Sequence, residues 1–163
     1  MSKLDVKKLD CSVAQTLNQI GERWTLLIIR DAFHGIKRFD DFQTQLKISP
    51  TVLSARLQSL TKNGILEKRK SHLDGRAFEY VLTTKGLDLY PVLLSLMAWG
   101  DKYMPNNAGP RMKLLDKKTQ QPIRPVHVLA ADGRVLSAKD VVVRPASGSD
   151  EKMRSLINYR SGG

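Results

Sequence analysis

Polar and small side chains recur at helical spacing in a segment that begins near residue 50. The positions on or beside this polar face are Thr51, Ser54, Ala55, Arg56, Gln58 and Lys62. Side chains of these types can bind base edges or phosphates, and a small residue such as Ala55 allows close approach. Arg56 lies to the side, within reach of a phosphate or of an acid in the same chain. A solvated helix surface is the alternative interpretation, and the neighbouring segments decide between the two.

A cluster of basic side chains follows this segment. Its members are Lys68, Arg69, Lys70, His72 and Arg76. Two acidic residues, Glu67 and Asp74, lie in the same segment. Asp74-Gly75 lies between two strand-like runs, which is typical of a β-hairpin turn. Basic residues on a hairpin can contact phosphates, and Arg76 at the tip suits a narrow minor groove. A solvated charge run is the alternative, but the position beside the polar helix favours a DNA-contacting wing.

The segments around these residues predict the elements that position them. Ser49-Pro50 predicts the start of a helix over 50–63, because Ser is a favoured N-cap and Pro fits the first helical position. Leu53, Leu57 and Leu60 give this helix an apolar stripe opposite its polar face. A shorter helix over 39–46 and a tight turn precede it, and a hairpin over 65–82 follows. This order predicts a winged helix-turn-helix, a fold that binds duplex DNA.

Further helices are expected on both sides of this motif. Apolar spacing predicts helices over 12–20 and 24–33, and a long helix from Thr83/Thr84 to about Tyr103. Pro91 is expected to kink this long helix without dividing it, since its apolar rows continue across the proline. One apolar row is enough for a surface helix, so two rows indicate a second apolar partner, such as another copy of the chain.

The composition changes beyond residue 104. A linker or sharp turn is predicted over 105–110, and short strands are predicted over 112–115, 123–130 and 135–136, with 141–143 as a further candidate. We therefore expect a winged-helix domain over 1–104, a small β-rich appendage over 105–148 and a tail over 149–163 that is a short helix or disordered. The predicted fold class is mainly α with small β.

Charge and cysteine content narrow the class of protein. The net charge of +11 suits an anionic partner such as nucleic acid. The polar N-terminus carries no secretory pattern, and no apolar run is long enough to span a bilayer. The single cysteine, Cys11, cannot form an internal disulfide, which fits a reducing compartment. We expect a soluble, cytoplasmic protein with no membrane partner.

The chain resembles the HxlR-type winged-helix transcription regulators, which are relatives of the MarR group. The similarity covers about residues 9–103 in the expected order and spacing. The residues that carry it are Cys11-Ser12-Val13-Ala14, Ile20-Gly21, Arg23-Trp24-Thr25-Leu26-Leu27-Ile28, Arg38-Phe39, Phe42, Leu46, Ile48-Ser49-Pro50, Leu53-Ser54-Ala55-Arg56-Leu57, Leu60, Gly64-Ile65, Tyr80-Val81-Leu82-Thr83, Gly86, Pro91-Val92-Leu93 and Trp99-Gly100.

This resemblance implies a homodimer that binds a pseudo-palindromic operator, with repression as the commoner outcome. It implies a dimer interface on the N-terminal and long C-terminal helices, for which the candidates are Val13, Leu17, Leu94, Met97 and Trp99. Arg38 and Ser49 join the candidate DNA contacts. Several similar proteins use a cysteine at the position of Cys11 to sense electrophiles or oxidants, so a thiol-reactive or small-molecule effector is expected; a small buried residue is the alternative.

Other functions have weaker support in the sequence. Some longer members of the family that the chain resembles carry a C-terminal extension that looks like a cysteine-bearing metal ribbon, but residues 128–133 contain no cysteine and His127 alone is not a zinc site. We expect no metal, no cofactor and no enzymatic activity, because no catalytic motif is found. The remaining alternative is a protein-interaction scaffold that keeps the winged helix without specific DNA binding, and the basic wing argues against it.

Overall fold

The computed structural model of the chain describes residues 9, 11–71, 75 and 77–161. Over these residues two strands are flanked by helices on both sides in sequence. The elements in chain order are α1 (Ser12–Ile20), α2 (Arg23–Phe33), α3 (Phe39–Leu46), α4 (Pro50–Lys62), β1 (Leu66–Lys70), β2 (Phe78–Leu82), α5 (Thr84–Leu87), α6 (Tyr90–Tyr103), a 3-10 turn (Ala138–Asp140) and α7 (Glu151–Ser161). The expected helices over 12–20 and 39–46 are confirmed to the residue.

Residue contacts divide the chain into two compact units. Gln19–Val126 form one unit, and the residues before Gln19 together with those from His127 onward form the other. The first unit contains the whole predicted helix-turn-helix and its hairpin. The domain boundaries expected from composition, 1–104 and 105–148, stay a prediction.

The core of the larger unit lies between α2, α3 and α4. Its buried members are Ile20, Ile28, Ile29, Phe42, Ile48, Leu53, Leu57, Leu60, Ile65 and Leu66. Leu53, Leu57 and Leu60 are the predicted apolar stripe of α4, and each is at most 1% exposed. Burial of a leucine side chain contributes about 1.5–3 kcal/mol, so this stripe fixes which face of α4 remains in contact with solvent.

The hairpin is a two-stranded antiparallel sheet in which Lys68 pairs with Tyr80 and Lys70 pairs with Phe78. The Tyr80 N–H donates to the Lys37 carbonyl over 2.8 Å, so the segment before α3 is tied to β2. Gly64 ends the connection from α4 with φ of +68°, a conformation that glycine adopts without steric cost. The predicted Asp74-Gly75 turn falls largely outside the described residues.

The expected long helix with a kink at Pro91 is wrong. The chain forms two separate helices, α5 and α6, and Pro91 lies in the first turn of α6. Proline lacks an N–H, and the first turn of a helix is where that donor has no intrahelical partner. Pro91 therefore begins a helix here. The apolar rows continue across the break because Asp88 and Leu89 keep near-helical dihedral angles.

The C-terminal region carries less regular β-structure than expected. Over the described residues from 105 onward, isolated antiparallel bridges, Leu115 to Pro122 and Leu129 to Val135, form in or directly beside the predicted strands. The Asp132-Gly133 turn is confirmed, since Gly133 has φ of +85° and its N–H donates to the Ala130 carbonyl. Val141–Val143 are exposed and form no strand, while the tail forms α7 over 11 residues.

Local hydrogen bonds stabilise the turns of this region. The Ser137 hydroxyl and N–H donate to the Asp140 carboxylate, and these bonds lower the pKa of Asp140. The Asp116 carboxylate accepts bonds from the backbone and side chain of Thr119 and from the Lys118 N–H, which lower its pKa in the same way. Hydrogen bonds within single turns thus stabilise this region, where the sequence predicted short strands.

Candidate nucleic-acid interface

The N-terminal end of α4 is built as the sequence predicted. The Ser49 hydroxyl accepts the Val52 N–H over 3.4 Å, and Pro50 occupies the first turn. This cap leaves the first turn of the helix open to solvent. The exposed residues along the polar face are Thr51, Ser54, Ala55, Gln58 and Lys62. The face therefore presents hydroxyl, amide and ammonium groups to solvent, as base reading requires.

The turn between α3 and α4 sets the angle at which α4 is presented. Lys47 ends α3 with φ of +51°, in the left-handed region that side chains other than glycine seldom adopt. Ile48 is buried immediately after it. A sharp reversal followed by a buried anchor holds the two helices close together, which is the geometry of a helix-turn-helix.

Two arginines predicted at this surface have different surroundings. Arg56 is half-buried, and its guanidinium lies 3.7 Å from the Glu22 carboxylate just before α2. Of the two partners left open for Arg56, the structure shows the acid in the same chain. Arg38 is exposed at the residue before α3 and adjoins Lys37, whose carbonyl is bonded to β2. Arg38 thus has a fixed backbone and an accessible guanidinium.

The hairpin carries exposed cations on a braced framework. Lys68 and Lys70 are exposed on β1, and the Lys68 ammonium lies 4.4 Å from the centre of the Phe78 ring. Arg69 faces the opposite strand, where it lies 3.7 Å from the Glu79 carboxylate. A cation over an aromatic face is attracted to the ring quadrupole, so the position of the Lys68 ammonium is restrained. His72 and Arg76, both predicted wing residues, lie outside the described residues.

One positioning residue was missed by the sequence reasoning. The Lys85 ammonium donates to the Asn63 carbonyl at the C-terminal end of α4 over 2.8 Å and to the Gln19 side chain over 2.7 Å. It therefore joins the end of α1 to the end of the candidate recognition helix. A positive charge is also favourable at the C-terminal end of a helix. Sequence spacing gave no sign of this contact, because its partners are distant along the chain.

A second positioning contact joins the wing to α5. Thr83 donates its hydroxyl proton to the Gly64 carbonyl over 2.6 Å, and its oxygen accepts the Gly86 N–H. Gly86 is buried against the Ile65 carbonyl, and a side chain there would collide with it. The backbone at the start of the hairpin, at Ile65, is therefore in direct contact with the backbone of α5 at Gly86.

The predicted sensor and dimer residues are largely accessible. Cys11 is half-buried directly before α1, and its carbonyl accepts the Gln15 N–H over 2.9 Å. Val13 and Leu17 are exposed on α1, as is Trp99 on α6. Leu94 and Met97 are half-buried, so they lie on a different face of α6 from Trp99. The two apolar faces expected of this helix are both present.

Among the described residues, no group of three or more His, Cys, Asp or Glu side chains is arranged to hold a metal ion. No helix in the described part of the chain is both long and apolar enough to cross a bilayer.

Comparison with known proteins agrees with this geometry. A family model described as HxlR-like helix-turn-helix matches residues 19–108. The uncharacterized HTH-type transcriptional regulator Rv3095 of Mycobacterium tuberculosis is 36% identical over 144 residues, which cover 88% of this chain and 91% of its own. The crystal structure of PA1607, a proposed transcription factor, is 36% identical with a TM-score of 0.80 and covers 86% of this chain and 98% of its own.

A solved structure of a redox regulator is similar over a shorter region. The oxidized form of the redox regulator HypR is 31% identical with a TM-score of 0.52, and the match covers 56% of this chain and 96% of that chain. Fold, family model and relatives therefore agree. The chain belongs to the HxlR-like helix-turn-helix family and is a transcriptional regulator, not an enzyme.

Proposed function

We propose that the protein is a homodimeric regulator that reads a pseudo-palindromic DNA operator and represses transcription from it. The observation that carries the proposal is the exposed polar face of α4 beside the exposed basic residues of β1. Ser54 and Gln58 are free to read base edges in the major groove. Lys68 and Lys70 supply affinity that does not depend on sequence, by releasing counterions from phosphates.

An apolar row on α6 supports the dimer. Val92, Leu96, Trp99 and Tyr103 recur at the i, i+4, i+7, i+11 spacing of one helix face, and all are exposed. Trp99 is 59% exposed and Leu96 49%, while the Trp99 and Tyr103 rings contact each other at 5.3 Å. Exposed apolar patches of this kind mark protein interfaces. A two-fold dimer reads half-sites about one helical turn, roughly 34 Å, apart.

A thiol signal at Cys11 fits the same scheme. HypR, a redox regulator with solved reduced and oxidized forms, is similar to this chain. Cys11 is half-buried before α1, on which Val13 and Leu17 are exposed. Because the chain contains one cysteine, oxidation to a disulfide joins two chains or captures a small thiol. Either product changes the dimer and with it the separation of the two reading helices.

Selection of bound duplexes from a random pool, followed by affinity measurements across a salt series, tests the proposal. We expect a palindromic motif with half-sites about one turn apart, and an affinity that falls steeply as salt rises. Salt-sensitive binding without a motif contradicts sequence-specific regulation. No duplex binding by either reduced or oxidized protein would favour the protein-interaction scaffold.

A further inference from the structure

An apolar groove lies beside α6 within the unit formed by Gln19–Val126. Its volume is about 630 Å³, within the ~300–1,000 Å³ of pockets that hold small organic ligands. Side chains from α2, from α6 and from the segment after α6 form its walls. They include Leu26, Phe33, Tyr90, Leu94, Met97 and Met112.

One part of the groove wall is formed by packed aromatic rings, and another part is formed by flexible methionine side chains. The Phe33 and Tyr90 rings contact each other with centres 4.9 Å apart, which braces α2 against the start of α6. Met97, Met104 and Met112 also line the groove. Methionine side chains are unbranched and polarizable, so they repack around apolar groups of different shape. The groove can therefore accommodate apolar groups of different shapes.

Among the described residues, one of the arginines at the rim of the groove has no salt-bridge partner. Arg23, Arg30 and Arg111 all line it. Arg30 is held by Asp31 at 2.8 Å, and Arg111 by Asp101 at 2.9 Å together with the Met104 carbonyl. Arg23 is exposed, and its guanidinium forms no salt bridge with any residue that the structure describes. Two of the three arginines thus shape the groove, and the third is free to bind an anion.

We propose that the groove binds an amphiphilic monoanion, with an aromatic or aliphatic body against the apolar walls and a carboxylate-type head at Arg23. The role of this ligand as an effector rests on the proposed function, whereas its binding does not. Leu94, Leu96 and Met97 line the groove from α6, and Leu96 also belongs with Trp99 to the exposed row of the same helix. A ligand in the groove therefore contacts the helix that carries the proposed dimer surface, and Leu96 is common to both.

Calorimetric titration of the purified full chain without DNA tests the proposal. The probes are 2-naphthoate and decanoate, each compared with its neutral amide, so that the body and the head group are varied separately. We expect saturable binding of one probe per chain, with each carboxylate about tenfold or more tighter than its amide, because a charge-assisted hydrogen bond is worth that much. The tighter body identifies the ligand as aromatic or aliphatic.

Arg23→Gln supplies the decisive variant. It should abolish the preference for carboxylate over amide and leave the affinity for the amide unchanged. Lys102→Gln is the matched control, since Lys102 is an exposed cation on α6 that does not line the groove; the native preference should persist in it. Equal affinities for carboxylate and amide, or an unaltered preference in Arg23→Gln, would overturn the proposal.

The other candidate occupant of the groove is a second copy of the chain. Met97→Glu places a charge in the groove, and its oligomeric state can be measured by sedimentation. Conversion of a native dimer to monomer by this variant, combined with no saturable probe binding to the native protein, would overturn the ligand proposal in favour of a chain interface. Duplex selection on the native protein uses none of these probes, so failure here leaves the DNA-binding proposal standing.

Discussion

Gln58 and Lys70 are both exposed, but they offer different chemistry to a duplex. Gln58 carries an amide that can bond two positions of one base edge, while Lys70 carries a point charge. Gln58→Ala should reduce discrimination at one operator position by about 1–3 kcal/mol. Lys70→Ala should weaken binding to all sequences and reduce the slope of affinity against salt by about one unit. Competition binding with operator variants at several salt concentrations measures both effects.

A lysine outside the site serves as the control for these two variants. Lys117 is exposed in the segment after α6, and Lys117→Ala should leave operator affinity and its salt slope close to native. If Gln58→Ala and Lys70→Ala alter sequence preference equally, the division between a reading helix and a charged wing is wrong.

Cys11 provides a prediction that depends on one sulfur atom. Treatment with diamide, which accepts two electrons and two protons as two thiols join, should give a disulfide between chains that non-reducing electrophoresis detects. We expect operator affinity to change by roughly tenfold, within the usual range of coupling between sites. The Cys11→Ser variant should bind the operator with native affinity, and diamide should leave that affinity unchanged. An equal response of Cys11→Ser and native protein to diamide would exclude this sulfur as the sensor.

Residues with local roles were predictable from the sequence, and residues with distant partners were not. Ser49 and Pro50 act within one turn of α4, so their types were enough to predict the cap that the structure shows. Lys85 bonds to Gln19 and to the Asn63 carbonyl, neither of which is near it in sequence. Arg56 is intermediate between these cases. The sequence predicted a phosphate or an acid of the same chain as its partner, and only the structure identified that acid as Glu22.

At the scale of elements, the junction between the hairpin and α5 depends on the absence of a side chain at Gly86. A Cβ there would meet the Ile65 carbonyl oxygen and would lie 2.9 Å from Leu82 Cδ2. Gly86→Ala should lower the free energy of unfolding by about 1–3 kcal/mol, the usual cost of overpacking. Urea unfolding, followed by circular dichroism, measures this change.

Gly100 gives the matched substitution in a helix with free space. A Cβ at Gly100 would meet Met104 Cε at 3.9 Å, an ordinary contact distance. Gly100→Ala should therefore stabilise the protein by about 0.5–1 kcal/mol, because alanine favours helix over the unfolded chain. Equal effects of the two substitutions would show that the close packing at Gly86 has no energetic consequence.

Element boundaries were predictable where capping and turn residues are local. The start of α4 was predicted from Ser49 and Pro50 alone, whereas the division of α5 from α6 at Pro91 was not predicted. An apolar row records which face is buried, and it does not show whether backbone hydrogen bonding is continuous. The strands expected beyond residue 104 failed for a related reason, since valine-rich segments such as Val141–Val143 need a partner strand to form a sheet.

For the whole molecule, the exposed row on α6 predicts self-association. Trp99→Glu should convert a dimer into a monomer or weaken dimerisation by at least about 2 kcal/mol, which raises the dissociation constant roughly thirtyfold, as expected for an aromatic anchor of an interface. Sedimentation velocity over a concentration series measures the change, with circular dichroism as the test of folding. Val142→Glu is the control, because Val142 is also exposed, at 71% against 59% for Trp99, but lies outside the predicted interface; dissociation by both variants alike would contradict the assignment.

The overall assembly could be predicted only in outline. Helix order and a resemblance to known regulators were enough to predict the winged helix-turn-helix, which the family model and relatives confirm. The apolar groove beside α6 was not predictable in detail, because Arg111 and Met112 reach it by chain reversal after the helix. Which apolar face of α6 meets the core and which meets solvent likewise depends on tertiary packing.

The two hydrogen bonds of Lys85 have a consequence for how substitutions combine. One nitrogen serves both Gln19 and the Asn63 carbonyl, so loss of the ammonium removes both bonds in a single step. In a thermodynamic cycle, Gln19→Ala and Lys85→Met should therefore be non-additive: once the lysine is gone, the glutamine substitution should have little further effect. Inherited changes at these two positions would accordingly be interdependent, although the positions lie far apart in the sequence.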